Sequence, residues 1–247
     1  MGVSEALAAL LFPIFGGLIG FALLRVFGFR GFVREGVLVG VLTFFIAILI
    51  QSPVQQLPLL LHLISVYGPN ILTNTTRVVE YVLAQGALFI ALLSLWMGFA
   101  AAALQSGLKL LFVRGRSSVY AVSVGVGFGF VEALFIGVNG MLAMLFTVEN
   151  VSSPLAHLYV GFMLSAIERL FALLFHTGST LLIFSFWKKG KWLQGLLITI
   201  AIHTTIDTLA TAYQLTKGIA VLATAEVIAG LAGLCLVLAQ RKTLAIQ

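Results

Sequence analysis

Charged side chains are scarce in this sequence, and their scarcity excludes most classes of soluble protein. Only 9% of the 247 residues are charged, whereas 61% are hydrophobic, and the mean hydropathy is +1.14. A soluble domain carries about 25% charged residues, because its surface must be polar. Soluble enzymes, nucleic-acid-binding proteins and disordered tails are therefore excluded. The formal net charge of +6 does not indicate a nucleic-acid partner, because the cations lie in short segments between apolar runs.

Cysteine and basic leader residues are scarce as well. Cys235 is the single cysteine, so neither an internal disulfide nor a thiolate metal site is expected. The N-terminus, MGVSEALAAL, lacks the basic region of a secretory signal, and we expect the first apolar segment to remain as a helix. A membrane β-barrel would show alternating polarity, but runs such as 36–50 and 219–239 are almost continuously apolar. The composition therefore predicts an all-α, polytopic membrane protein.

The long apolar runs predict about seven membrane-spanning helices, since a span needs about 20 apolar residues. One further piece, 52–77, contains three prolines and a short apolar stretch, and we interpret it as a re-entrant or interfacial segment. We expect one integral-membrane domain over 1–247, with its site region at about 119–213, and we expect it in the plasma membrane. The predicted spans are 3–27, 36–51, 79–108, 119–146, 155–187, 192–213 and 219–239.

The distribution of Lys and Arg predicts an N-out, C-in orientation, because cations favour the cytoplasmic ends of spans. Only Arg77 and Lys217 fall on the opposite side, and Arg169 lies within a span. Eleven cations fall at ends that this orientation places in the cytoplasm: Arg25, Arg30, Arg34, Lys109, Arg114, Arg116, Lys188, Lys189, Lys191, Arg241 and Lys242.

Six ionisable residues fall inside predicted spans, where charge is costly and usually faces the protein interior. They come from three consecutive helices and lie about 16–28 Å from the cytoplasmic ends, at about 1.5 Å per residue. His203 and Asp207 are four residues apart and share a helix face. Arg169 needs a counter-ion at this depth, and Glu168, Glu132 or Asp207 would serve. Glu226 lies near the external end of its span, and we interpret it as an interfacial carboxylate. The six are Glu132, Glu168, Arg169, His176, His203 and Asp207.

These residue types permit two versions of one chemistry. Two imidazoles and a carboxylate could hold a zinc ion with a bound water, which would make His176, His203 and Asp207 candidate ligands. Alternatively, a buried glutamate could act as a general base without a metal, with the histidines stabilising an oxyanion. The glycines before Glu132 (Gly125, Gly127 and Gly129) either pack a neighbouring helix or leave room for a substrate.

The order of these motifs resembles a known family. Glu132-Ala133 follows a Gly-rich apolar segment, then come Glu168-Arg169 with His176 seven residues later, and His203-x-x-x-Asp207. This order is similar to that of the YhfC-type intramembrane metalloproteases, distant relatives of the PrsW proteases and of the CPBP (CAAX-processing, Abi) membrane proteases. The similarity is strongest over roughly 119–213.

The resemblance implies an intramembrane peptidase, zinc as cofactor, and a membrane-embedded or membrane-adjacent peptide or protein as substrate. It implies Glu132, Glu168, His176, His203 and Asp207 as catalytic or metal-binding groups, with Arg169 in support. The chain departs from the family at Phe128, which replaces a His of the first motif. Ala172 stands where the CPBP pattern has Phe four residues before the His.

Two other functions remain open on the same residues. Intramembrane Glu, Asp and His also mark proton- or ion-coupled transporters, although the sequence shows no internal repeat of the kind such transporters often carry. A non-catalytic membrane scaffold derived from a protease is the third hypothesis. Uptake driven by an ion gradient would favour the transporter, and tolerance of Glu132→Gln and His203→Ala would favour the scaffold.

Overall fold

The computed structural model describes residues 3–68, 78, 81–82, 84–146 and 155–244, and these form a bundle of α-helices without strands. Seven of the helices are long and apolar enough to cross a membrane. This confirms the all-α fold and the number of spans. The helices are α1 (Val3–Val26), α2 (Arg34–Tyr67), α3 (Ala87–Val113), α4 (Ser118–Phe146), α5 (Leu155–Lys188), α6 (Trp192–Thr216) and α7 (Ile219–Leu244).

Helix α2 is much longer than predicted, because it continues through Pro53 and Pro58 to Tyr67. The prediction of a separate re-entrant or interfacial segment is therefore wrong for residues 52–67; residues 69–77 lie outside the described part of the chain. A proline removes one backbone N–H donor and frees the carbonyl four residues earlier. For Pro58 that carbonyl belongs to Val54, and the Trp96 indole N–H donates to it at 3.3 Å. A neighbouring helix thus supplies the missing donor.

Helix α3 begins at Ala87 rather than at residue 79, because the backbone is not helical at Gln85 and Gly86. At its other end it continues to Val113, five residues beyond the predicted boundary. The remaining predicted spans agree with the helices to within a few residues, apart from α7, which continues to Leu244. The shift of α3 matters for the site because it places Lys109 one turn inside the helix.

Helix α4 is the central element of the bundle. In its most apolar stretch 67% of the residues are buried, against 17–33% in the other six spans. A Cβ on Gly127 would lie 2.1 Å from the Val37 carbonyl oxygen of α2, and a Cβ on Gly125 or Gly129 would lie within 2.8 Å of the α5 backbone. These glycines therefore allow helices to approach closely. They pack neighbouring helices and do not leave room for a substrate at these positions.

Several cationic loops meet at one end of the bundle. Arg25 Nη1 donates to the Arg30 carbonyl at 2.5 Å, and Arg116 lies 3.9 Å from Glu35 at the start of α2. A Cβ on Gly28 would lie 3.8 Å from Arg241 Nε, which brings the end of α7 to the same place. This gathering agrees with the distribution of cations that predicts the N-out, C-in orientation, and the orientation itself stays a prediction. Lys109 is the exception, since it is fully buried.

Candidate functional site

All six ionisable residues predicted from the sequence line one cavity of about 300 Å³. Helix α4 contributes Glu132, α5 contributes Glu168, Arg169 and His176, and α6 contributes His203 and Asp207. The cavity is large enough for several water molecules, each of which needs polar partners. The convergence of three helices that we expected from depth and helix face is therefore present in the fold.

The Glu132 carboxylate lies between two nitrogen groups of α5. Its Oε1 is 3.2 Å from Arg169 Nη1, and its Oε2 is 2.8 Å from His176 Nε2. Arg169 Nη2 also donates to Glu168 Oε1, so the guanidinium joins two carboxylates. Both were among the counter-ions expected for Arg169. This pairing keeps a carboxylate charged inside an apolar bundle, because Arg169 offers several fixed donors.

The second nitrogen of His176 contacts a residue that the sequence analysis misplaced. Lys109 Nζ lies 2.7 Å from His176 Nδ1 and 4.3 Å from the centre of the Phe128 ring. When Lys109 carries an ammonium, which has only donors, Nδ1 accepts and the ring proton resides on Nε2, toward Glu132. In that state His176 is a neutral imidazole in a single tautomer between Lys109 and Glu132.

Phe128 has a clear structural role in this arrangement. Its ring lies 4.6 Å from the His176 ring, centre to centre, and meets Phe44 edge to face at 5.4 Å. The face of an aromatic ring attracts a cation most strongly when water is excluded, and Lys109 is completely buried. Phe128 therefore forms part of the pocket that holds the Lys109 side chain.

His203 and Asp207 form the pair expected from their spacing on α6. His203 Nε2 lies 3.4 Å from Asp207 Oδ2, and the His203 ring meets the His176 ring edge to face with centres 5.5 Å apart. His203 is 3% exposed, and its Nδ1 has no hydrogen-bond partner among the described residues. The tautomer of His203 decides whether this Nδ1 donates or accepts a hydrogen bond.

The candidate zinc ligands do not fit a zinc ion in this arrangement. A ligating imidazole needs a free lone pair, but both nitrogens of His176 already face protein groups, Lys109 and Glu132. An ammonium beside the site also opposes a second cation. Among the described residues, no group of three or more His, Cys, Asp and Glu is placed to hold a metal ion. Zinc therefore remains a prediction from the resemblance, and we derive no step through it.

Glu226 of α7 belongs to the cavity, which corrects its interpretation as an interfacial carboxylate. Its side chain lines the cavity together with Thr211 and Gln214 of α6, and its Oε2 is buried without a partner in the described structure. Glutamines line the wall made by α2 and α3, where Gln105 Nε2 donates to Gln51 Oε1 at 2.9 Å.

The sequence carried one signal for the buried position of Lys109. The apolar run LLFV follows Lys109, which indicates that the helix continues beyond it.

His62 lies away from the cavity. Its Nε2 is 2.5 Å from the Tyr81 hydroxyl, and the side chain is exposed. The side chain of His157 lies outside the described residues.

The comparisons with known proteins add no relative to this picture. No family model, no curated protein and no solved structure matches the chain. The resemblance to the YhfC-type proteases thus stays a prediction that rests on the motifs quoted above, and the chemistry of the site has to be argued from its geometry. What the fold establishes is an integral-membrane helical bundle with a polar cavity among its helices.

Proposed function

We propose that this chain is an intramembrane peptidase in which Glu132 activates a water molecule without a metal ion. The observation that carries the proposal is the position of the Glu132 carboxylate. It is held between Arg169 and His176 on the wall of a polar cavity, inside a bundle whose outer surface is apolar. A general base has to be fixed in orientation and within reach of water; the two contacts on Glu132 support the first condition and the cavity beside it supports the second.

The reaction would begin when a peptide carbonyl carbon enters the cavity beside a water molecule. Glu132 takes one proton from the water, the water oxygen bonds to the carbonyl carbon, and the carbonyl electron pair moves onto its oxygen. When the tetrahedral intermediate collapses, the C–N bond breaks and the proton held by Glu132 passes to the leaving amine. The products are a carboxylic acid and an amine, so the step needs only water as co-reactant.

His176 and Arg169 would stabilise the charge that moves during this step. Arg169 Nη1 and His176 Nε2 lie 3.2 and 2.8 Å from the Glu132 carboxylate. Once Glu132 has taken the proton its negative charge is lost, and the same N–H groups are available to the new oxyanion nearby. Donors that are already in place cost little reorganisation, and removing one oxyanion donor slows acyl transfer about 10²–10³-fold.

The test is cleavage of a mixed set of transmembrane peptides by the purified protein in lipid nanodiscs, followed by mass spectrometry. We expect Glu132→Gln to lower the cleavage rate by about 10²–10⁴-fold, because general base catalysis is lost while the side-chain shape is kept. Glu35→Gln is the matched control, since Glu35 is exposed at the start of α2. Equal rates for wild type and Glu132→Gln would refute the proposal.

Adding 1,10-phenanthroline to the wild type separates the two versions of the mechanism. Unchanged cleavage supports the metal-free version. Cleavage that stops with the chelator and returns with added zinc would overturn it in favour of the zinc version. Metal content of the purified protein, compared with that of His203→Ala, gives a second measurement that does not depend on finding a substrate.

One observation favours proton-coupled transport as a second candidate. Lys109, His176, Glu132, Arg169 and Glu168 form a continuous chain of ionisable groups through the bundle. Such chains mark proton pathways in pumps and transporters. Proteoliposomes with an internal pH dye would show proton flux if this function is present. Flux without any peptide cleavage would favour the transporter over the peptidase.

A further inference from the structure

The end of the cavity between α5, α6 and α7 carries more negative than positive groups. The cavity is lined by four carboxyl groups (Glu132, Glu168, Asp207 and Glu226) and by one guanidinium, Arg169. That guanidinium is already engaged by Glu132 and Glu168. Glu226 interacts electrostatically with Glu168 and Arg169, but no cation of the described chain pairs with it directly.

Several side chains that line the same cavity carry polar atoms without hydrogen-bond partners. Gln105 is 5% exposed and lines the cavity, and its Oε1 has no partner among the described residues. The buried Oε2 of Glu226 has none either, whereas the unpartnered Nδ1 of His203 can accept or donate and the unpartnered Nε of Arg169 can only donate. Buried polar atoms are normally satisfied, and unsatisfied ones are costly. The oxygens of Gln105 and Glu226 would be satisfied by a ligand that brings hydrogen-bond donors.

The carboxyl groups of the cavity and its unpartnered oxygens therefore favour the same kind of ligand. An ionised carboxylate in the membrane interior is stabilised by a cationic partner, and a planar guanidinium or an ammonium supplies donors but no acceptor. The cavity of about 300 Å³ can hold a small organic cation. A neutral or anionic ligand would leave Glu226 without a directly paired cation.

We propose that this acidic end of the cavity, formed by Glu168, Asp207 and Glu226, binds an organic cation, which a peptide substrate presents as a Lys or Arg side chain. The identity of the ligand as a peptide side chain rests on the proposed function, whereas the preference for a cation rests on the cavity alone. Glu226 is the specificity-determining residue, because it lies away from the Glu132–His176 pair and lacks a partner of its own.

The test measures binding of butylguanidinium and of butylurea to the protein in phosphatidylcholine nanodiscs by isothermal titration calorimetry. The two probes have nearly the same shape and differ in charge. We expect butylguanidinium to bind about tenfold or more tightly than butylurea, and Glu226→Gln to remove most of that preference, since hydrogen bonds to charged groups contribute that much. Glu35→Gln, at an exposed carboxylate, should keep the preference.

Equal binding of the two probes to the wild type, or an unchanged preference in Glu226→Gln, would overturn the proposal. Helical circular dichroism and a single size-exclusion peak confirm that each variant is folded, and Glu226→Asp should retain the preference. The binding test is independent of cleavage. Selective binding without cleavage refutes the peptidase and keeps the cation site, whereas cleavage without selective binding refutes the cation site and keeps the peptidase.

Discussion

The two faces of α4 border two cavities that differ in size and in chemistry. On one face lies a groove of about 500 Å³, on the other the polar cavity of about 300 Å³. Every side chain that lines the groove is apolar, whereas the cavity is lined by carboxyl, imidazole, amide and guanidinium groups. The groove is formed by Leu18, Phe21, Phe32, Val37, Val41, Val126, Gly127, Phe130, Val131 and Leu134.

The apolar groove, although it is the larger of the two cavities, gives less information about function. Lipid chains are as apolar as Leu, so an apolar groove facing the bilayer is satisfied by lipid and selects no particular ligand. Polar groups in the membrane interior carry a cost, which is met by pairing with each other or with a ligand. In this protein the candidate site is therefore marked by polar side chains that are costly to bury in a membrane, and not by the larger of the two cavity volumes.

The largest effect on stability is expected when the Arg169 guanidinium, which joins two carboxylates of the polar cavity, is removed. We expect Arg169→Met to lower the free energy of unfolding by about 3–5 kcal/mol, because it removes a buried guanidinium and leaves the mostly buried Glu132 without its counter-ion. Unfolding in mixed micelles titrated with sodium dodecyl sulfate measures the effect.

The matched control is Arg116→Met, which removes an exposed arginine 3.9 Å from Glu35. Exposed pairs contribute about 0–1 kcal/mol, so little change is expected there. The double variant Arg169→Met/Glu132→Gln should recover part of the loss, since it removes one of the uncompensated charges. A similar small effect for Arg169→Met and Arg116→Met would show that the cavity charges are solvated and not paired.

A smaller effect is expected at Lys109, which contacts His176 from behind the cavity wall. Without the ammonium, His176 can adopt either tautomer, and its N–H no longer has to face Glu132. We expect Lys109→Met to lower peptide cleavage about 10–100-fold, the range found when residues that orient a functional histidine are removed. Nitrogen-15 chemical shifts of His176 report the tautomer directly.

Lys189→Met is the control for that change, because Lys189 is exposed in the loop between α5 and α6. It should alter neither the cleavage rate nor the spectrum. If Lys109→Met keeps the Nε2-protonated tautomer and full cleavage, Lys109 has only a packing role. A loss of cleavage with an unchanged tautomer would also contradict the positioning role assigned here.

The sequence predicted the spans and the convergence of the polar residues because both follow from local periodicity. His203 and Asp207 had to share a face at a spacing of four, and Arg169 needed a carboxylate at its depth. Such predictions use only the rise per residue of a helix, the angle between successive side chains and the free-energy cost of burying a charge. They do not contain the offsets between helices, so they could not show that Glu132 contacts His176 in particular.

The two misplaced residues share one physical cause. Lys109 and Glu226 lie near the ends of apolar runs, where a charged side chain is usually solvated, and the prediction followed that tendency. Whether such a residue faces water or the interior depends on the rotation of its helix and on its neighbours. The continuation of α2 through Pro58 is similar, because the donor that makes it possible, Trp96, belongs to another helix.

The smallest effect should come from the apolar groove. Leu134 is 43% exposed and lines the groove, whereas Leu173 is fully buried against α4. Leu134→Ala removes side-chain atoms that face the bilayer, and lipid fills the space that they leave. We therefore expect a loss of less than about 1 kcal/mol in unfolding free energy. Leu173→Ala leaves a cavity that lipid cannot fill, and about 2–5 kcal/mol should be lost. Cleavage should stay unchanged in Leu134→Ala. If both substitutions cost the same, the groove is filled by a specific packing partner, and its apolar lining would then have to be explained by that partner and not by the bilayer.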